Sequence, residues 1–211
     1  MPQAAITRAA VTQALPAALL FACALASAAS IVGSPVAFRV DPDRTTARFA
    51  VASLGVEKEH GRLGRTTGTI LMDGEHRVER VQFDIDTRAV DTGWDLRDAF
   101  LRSGVMFDTA HYPRMHFRSK RIVYEGTRLA AVEGDVTLRG VTRAVRFDVI
   151  GLECGSRDES KETCDAEVVG RISRGAFGMD FGYPLVGDEV DLQFVVTASR
   201  ERDADDPKAQ R

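Results

Sequence analysis

The chain has 211 residues, of which 44% are hydrophobic and 28% charged, a normal balance for a globular protein. Its formal net charge of −3 excludes the strongly basic surface typical of nucleic-acid binding. All-β barrels and sandwiches often reach this length as one domain, so we expect one main domain.

The first thirty residues differ in composition from the rest of the chain. Arg8 is their only charged residue, and the run from Ala14 to Ser30 is apolar and rich in small residues. Ala26-Ser27-Ala28 fits a signal-peptidase site. We therefore predict a secretory signal peptide over residues 1–28 and a periplasmic location. An uncleaved N-terminal anchor and lipid attachment at Cys23 stay open as alternatives.

Residues 37–200 contain a regular series of half-polar segments. In one of them Val81, Phe83 and Ile85 alternate with Gln82 and Asp84, so one face of the predicted strand is apolar. About eight such segments at even spacing predict an antiparallel barrel or sandwich. The charged, apolar-poor residues 201–211 predict a disordered tail.

One segment between the third and fourth predicted strands has helical periodicity instead. It starts at Asp91-Thr92, a good helix N-terminus, and Gly104 ends it. Its apolar residues recur at helical spacing: Trp94, Leu96, Phe100 and Leu101. For Trp94 and Phe100 we favour simple packing of the helix on its neighbours.

Two cysteines remain once the signal peptide is removed. Cys154 and Cys164 are ten residues apart, and nearly all the residues between them are polar. Since exported proteins meet an oxidising compartment, we predict a Cys154–Cys164 disulfide across the base of a hairpin. No histidine lies near enough in sequence to make these thiols a zinc site, and we predict no metal or cofactor.

No motif assembles a nucleophile, a base and an orienting group, so the sequence argues weakly against an enzyme. The apolar strand faces could enclose a packed core or a ligand, because a barrel of about eight strands permits both. Periodicity does not separate these two interpretations.

Several ordered blocks resemble the YceI-like family of polyisoprenoid-binding proteins with a lipocalin-like barrel. Asp41-Pro42 with Leu54-Gly55-Val56 resembles the family's opening strand, and GDVTLRGVTRAVRF resembles its hairpin. The most specific block is VDTGWDLRDAFLRSGVMFDTAHYPRMHFRS, and Arg174 with Phe177-Gly178-Met179 resembles a late element. The chain departs from the family by having Arg44, Ser53 and Phe100 where the family often has histidine.

The resemblance implies an all-β, antiparallel lipocalin-like β-barrel of about eight strands, with one short helix between strands 3 and 4. It also implies a cavity that holds an isoprenoid lipid or quinone, with polar groups at its mouth at Ser53, Arg97, Asp98 and Arg174. We predict that the cavity is lined by Phe49, Val51, Ile70, Phe83, Ile85, Phe107, Met115, Phe117, Val136, Leu138, Phe147, Val149, Ile172, Phe177, Leu192 and Phe194.

The leading hypothesis is thus a periplasmic carrier of such a lipid. A structural or stress-related interaction protein with a packed barrel is the first alternative, and an undetected hydrolase or isomerase is the second. A homodimer formed through exposed strand edges is a further hypothesis.

Overall fold

The computed structural model describes residues 35–54, 57–156 and 161–201. The predicted signal peptide over 1–28, with Cys23, lies outside these residues, as do Gly55 and Val56 and tail residues 202–211. In the described ranges, no helix is long and apolar enough to cross a membrane.

The described part of the chain is almost entirely strand, in the order β1 (Val36–Val40), β2 (Thr46–Ser53), β3 (Glu57–Arg62), β4 (Thr66–Met72), β5 (Val78–Asp86), α1 (Asp95–Arg102), β6 (Arg114–Glu125), β7 (Arg128–Leu138), β8 (Val141–Ser156), β9 (Lys161–Ser173) and β10 (Val186–Glu201). Two single-turn 3-10 helices, Thr87–Ala89 and Gly175–Phe177, follow β5 and β9.

The strands form one antiparallel sheet in the order β1-β4-β5-β6-β7-β8-β9-β10-β2-β3, and pairing of β1 with β10 closes it. The long strand β10 pairs along one edge with β9 and along the other first with β2 and then with β1. β1 and β2 therefore share one barrel position, and β3 and β4 share the next because they pair with β2 and β1 respectively. Counted in this way, the barrel has eight strand positions, as predicted.

Alternation along each strand places one set of side chains inside the barrel. On β10 the residues Leu192, Val196 and Ala198 are buried, whereas Val195 between them is 39% exposed. Inside, the ring of Phe147 meets the rings of Phe117 and Phe194 edge to face, with centroids 5.3 and 5.5 Å apart. Aromatic rings prefer this geometry, so it fixes their positions in the barrel core.

The structure corrects two parts of the predicted element list. β1 precedes Asp41-Pro42 as a strand separate from β2, where one opening strand was expected, and its residues Phe38 and Val40 are buried. The sequence of β3 is polar and shows no alternation of apolar and polar residues. Only its pairing with β2 identifies it as a strand. The predicted β7–β8 hairpin is confirmed, with a two-residue turn at Arg139-Gly140, where both residues have positive φ.

Helix α1 lies between the third and fourth barrel positions, as predicted, but it begins at Asp95 rather than at Asp91-Thr92. Asp91 is held in a β-bridge with Arg62, and Gly93 has a φ of 74° that no helix permits. The Asp98 carboxylate instead accepts hydrogen bonds from the backbone N–H and the hydroxyl of Thr92, at 2.9 and 2.6 Å.

Candidate functional site

The barrel interior contains a small, wholly apolar cavity of about 70 Å³, which we call the central cavity. Nine predicted residues line it: Ile70, Phe83, Ile85, Met115, Phe117, Val136, Phe147, Val149 and Phe194. Several further lining residues alternate on the same strand faces but are absent from the predicted cavity list, among them Met72, Val81, Val132 and Val196.

A second cavity of about 310 Å³ opens at the barrel end beside α1, and we call it the mouth cavity. Six further predicted residues line it: Phe49, Val51, Phe107, Leu138, Ile172 and Leu192. Met115 lines the mouth cavity as well as the central cavity, so its side chain stands at the boundary between the two. The two cavities therefore lie in series along the barrel interior.

Phe177 is the one predicted cavity residue that lines neither interior cavity. β8 and β9 pair only from Phe147 and Gly170 onward and separate before that point. The 3-10 helix Gly175–Phe177 packs at this split, with Phe177 buried beneath a surface groove of about 1000 Å³. Phe177 closes a gap in the barrel wall, which the strand pattern alone did not reveal.

The opposite end of the barrel interior is filled by charged side chains. Glu162 of β9, buried, accepts hydrogen bonds from Arg200 and from His76. Burial alone would raise the pKa of Glu162, but these two hydrogen bonds outweigh it and hold the pKa below its ordinary value. We call Glu162, Arg200 and His76 the polar end, and it separates the apolar interior from solvent on that side.

The predicted disulfide is present, joining Cys154 of β8 to Cys164 of β9. The two residues are direct register partners, and the strands continue to Ser156 and Lys161 beyond them. The bond therefore lies within the sheet rather than at the base of a long loop. Cys164 is buried against Met72, next to the polar end.

Of the four predicted polar residues, Ser53, Arg97 and Arg174 line the mouth cavity, whereas Asp98 does not. Arg97, Asp98 and Arg174 are committed to protein contacts. Buried Arg174 donates hydrogen bonds to the backbone carbonyls of Met179, Phe181, Val186 and Gly187. This guanidinium thus organises the segment between the second 3-10 helix and β10.

The other two committed residues lie on α1. Asp98 is buried and holds Thr92, whereas Arg97 donates to the Thr92 hydroxyl at 2.9 Å and forms an ion pair with Glu59 of β3. The fourth residue, Ser53, lines the mouth cavity, and its hydroxyl has no hydrogen-bond partner within the described chain.

The prediction that Trp94 and Phe100 simply pack the helix against its neighbours is wrong. Trp94 is 57% exposed, and both residues line the mouth cavity instead of being covered by the barrel. Phe100 contacts the ring of Phe181, with centroids 5.0 Å apart. The exposed apolar members of the mouth lining form its rim: Trp94, Phe100 and Phe181. Further exposed apolar side chains lie on α1 and on the connecting segments: Leu54, Leu96, Val105, Tyr183 and Leu185.

Sequence reasoning missed several mouth residues because a polar strand and connecting segments supply them. Glu59 belongs to the polar strand β3, and Met106, Met179 and Phe181 lie in connecting segments without strand periodicity. Across the described residues, no three His, Cys, Asp or Glu side chains are grouped to hold a metal ion.

Known proteins share this architecture over most of the chain. A crystal structure of BcnA from Burkholderia cenocepacia superposes with a TM-score of 0.60 at 23% identity, covering 75% of this chain and 98% of that one. A polyisoprenoid binding domain from Saccharophagus degradans superposes with a TM-score of 0.57 at 17% identity, covering 76% and 97%. At these identities the likeness concerns the fold.

Sequence comparison gives the family. Protein YceI of Escherichia coli O6:H1 is 28% identical over 185 residues, which cover 87% of this chain and 96% of that protein. The model of the YceI-like domain matches residues 38–198, which is most of the chain and the whole of the barrel from β1 into β10. The chain therefore belongs to the YceI-like domain family.

Proposed function

We propose that this protein is a periplasmic carrier that binds an isoprenoid lipid or isoprenoid quinone in its barrel and releases it unchanged. The observation that carries the proposal is the pair of apolar cavities in series, open beside α1 and bounded by the polar end. The relative from Saccharophagus degradans, a polyisoprenoid binding domain with the same fold, supports the same ligand class.

The physical chemistry of the interior suits a long hydrocarbon tail. Each buried methylene contributes about 0.8 kcal/mol, so affinity grows with the length of tail that enters. The mouth cavity, at about 310 Å³, lies at the lower end of the range for small-molecule pockets. A longer tail reaches the central cavity only if Met115 changes rotamer, and the unbranched thioether side chain suits that movement.

The rim extends this apolar lining to the surface. Trp94, Phe100 and Phe181 belong both to the rim and to the mouth cavity. A tail entering between them would meet mostly apolar side chains, and Glu59 and Arg97 in the lining are paired with each other, so loading and release would face only a small polar barrier. The periplasmic location in this proposal rests on the predicted signal peptide, and cell fractionation tests it.

The proposal is tested by native and organic-extract mass spectrometry of protein purified from its own periplasm. The critical variant is Val190→Trp, because Val190 lines the mouth cavity and an indole ring in its place would obstruct that cavity. The matched control is Val195→Trp on the outer face of the same strand. Both proteins should keep the circular dichroism spectrum of a β-barrel.

We expect a stoichiometric isoprenoid mass in the wild type and in Val195→Trp, and its loss in Val190→Trp. Repeated preparations of folded wild type without any lipid mass, and without uptake of an added prenol, would contradict a carrier. That result would favour the alternative of a packed barrel that acts through protein contacts.

A further inference from the structure

The charged groups at the mouth are arranged so that they neutralise one another. On β3, Glu59 pairs with Val51 of β2, which lines the mouth cavity, so Glu59 lies on the inner face. Arg97 reaches it from α1, which packs beside the opening. The ion pair is partly shielded from water, with 27% of the Arg97 side chain and 39% of the Glu59 side chain exposed.

Most of the hydrogen-bonding capacity of Arg97 is used within the protein, with three of its five N–H groups engaged. Its Nη1 is bonded to Glu59, its Nε donates to the Thr92 hydroxyl at 2.9 Å, and its Nη2 donates to the Thr92 carbonyl at 3.2 Å. The ring of Trp94 covers the guanidinium at 5.5 Å from its centroid. Arg97 therefore uses all three nitrogens of its guanidinium within the protein.

Arg174, the other cation that lines the mouth cavity, is equally committed. It is buried and donates to four backbone carbonyls, so a ligand could recruit it only by breaking the segment before β10. Lys58, the neighbour of Glu59, forms its ion pair with Asp191 at 2.8 Å on the outer face of the sheet.

Two polar side chains of the mouth lining make no hydrogen bond within the described residues, His60 and Ser53. His60 follows Glu59 on β3 and also lines the surface groove, so it lies on the outer face, and Ser53 is the available group on the inner face. The Ser53 hydroxyl lines the cavity without a hydrogen-bond partner in the described chain, and a hydroxyl both donates and accepts. The Ser53 hydroxyl can therefore form a hydrogen bond with a single uncharged oxygen of a ligand. A phosphate would need charge-assisted donors, would meet the Glu59 carboxylate, and would lose hydration without compensation.

We infer that the mouth selects an apolar tail ending in an uncharged oxygen group, a hydroxyl or a carbonyl, and discriminates against the phosphorylated tail. Glu59 is the specificity-determining residue, because it occupies Arg97 and repels a second anion. This inference rests on the proposed lipid-binding function and specifies the chemistry of the head group.

The test compares geranylgeraniol with geranylgeranyl diphosphate, which share one tail, by titration of Trp94 fluorescence in the purified mature protein. Trp94 is the only tryptophan and lies at the mouth. We expect wild type to bind the alcohol at least about tenfold more tightly, which corresponds to about 1.4 kcal/mol. Glu59→Gln releases Arg97 and should reduce or reverse this preference.

Asp191→Asn is the matched control, because it releases Lys58 and Arg171 on the outer face and should leave the preference unchanged. Ser53→Ala should weaken binding of the alcohol severalfold while leaving binding of the C20 hydrocarbon phytane unchanged. Equal or tighter wild-type binding of the diphosphate overturns the inference while the carrier function stands. An equal change of preference in Glu59→Gln and Asp191→Asn also overturns it. Absence of binding by both probes contradicts the carrier function itself.

Discussion

Glu162 and Arg200 are register partners on β9 and β10, and the Arg200 Nε donates to the Glu162 carboxylate at 2.6 Å inside the barrel. Arg200 also lies over the ring of Phe38, 5.7 Å from its centroid. His76 binds the second carboxylate oxygen of Glu162. A buried carboxylate is tolerated here because both its oxygens have cationic or hydrogen-bonding partners.

The polar end should make stability depend on pH in a defined direction. The pKa of Glu162 is lower in the folded state than in the unfolded state, where it is about 4.3. The ionised carboxylate therefore contributes fully to the free energy of unfolding above pH about 4.3, and this contribution is lost as the pH falls through the pKa of the folded state. Glu162→Gln should lower the free energy of unfolding at pH 7 by about 1–3 kcal/mol and flatten its fall below pH about 4.5. Urea unfolding between pH 3 and 7 measures both effects.

The control for this experiment is Glu125→Gln, since Glu125 forms an exposed ion pair with Arg128. Such pairs contribute about 0–1 kcal/mol, so that variant should follow the wild-type curve. An unchanged pH profile in Glu162→Gln would contradict the role assigned to the polar end.

The disulfide should stabilise the barrel modestly. Cys154 and Cys164 are ten residues apart in sequence. The entropy that this cross-link removes from the unfolded chain corresponds to a stabilisation of about 2–3 kcal/mol. We expect reductant to lower the free energy of unfolding of the mature protein by that amount, as measured by urea unfolding. The Cys154→Ala/Cys164→Ala variant should show no response to reductant. If it responds as strongly as wild type, the effect comes from another source.

Met115 should limit the length of tail that the barrel accepts. Met115→Ala joins the two cavities, so the ratio of affinities for a C20 over a C10 prenol should rise severalfold, at a stability cost of about 2–5 kcal/mol without ligand. Met106→Ala is the control because Met106 lines only the mouth cavity. Paired titrations with the two alcohols measure the ratio, and an equal rise in both variants would refute a boundary role for Met115.

Arg174 should act in folding of the mouth rather than in ligand contact. Arg174→Lys removes most of its four carbonyl hydrogen bonds, and bonds to charged groups contribute about 1.5–3 kcal/mol each, so we expect a stability loss of at least about 3 kcal/mol. Hydrogen exchange should show lost protection over residues 178–187. Exposed Arg143→Lys is the control, and a stable Arg174→Lys protein with weakened ligand affinity would reverse the assignment.

The sequence determined the barrel because strand faces are set by local alternation. Val81, Phe83 and Ile85 must share one face whatever their partners, and the same rule placed fourteen of the sixteen predicted cavity residues on the two interior cavities. A fifteenth, Phe107, lies in a connecting segment and came from the resemblance to the family. Their role in binding a ligand stays a prediction, as do the signal peptide, the periplasmic location and the homodimer. The disulfide partners also followed from the sequence, because only two cysteines remain after the predicted signal peptide.

Only the tertiary structure decided which end opens and which groups are available there. The contacts of Glu59 with Arg97 and of Glu162 with Arg200 each join residues 38 positions apart in sequence. Arg174 bonds four carbonyls that lie 5 to 13 residues further along the chain, in a segment without periodicity. Periodicity reports which way a side chain points but not which partner it meets. The partners of the charged side chains and the positions of the loops therefore depend on the closed barrel. The apolar interior was already specified by the alternation along each strand.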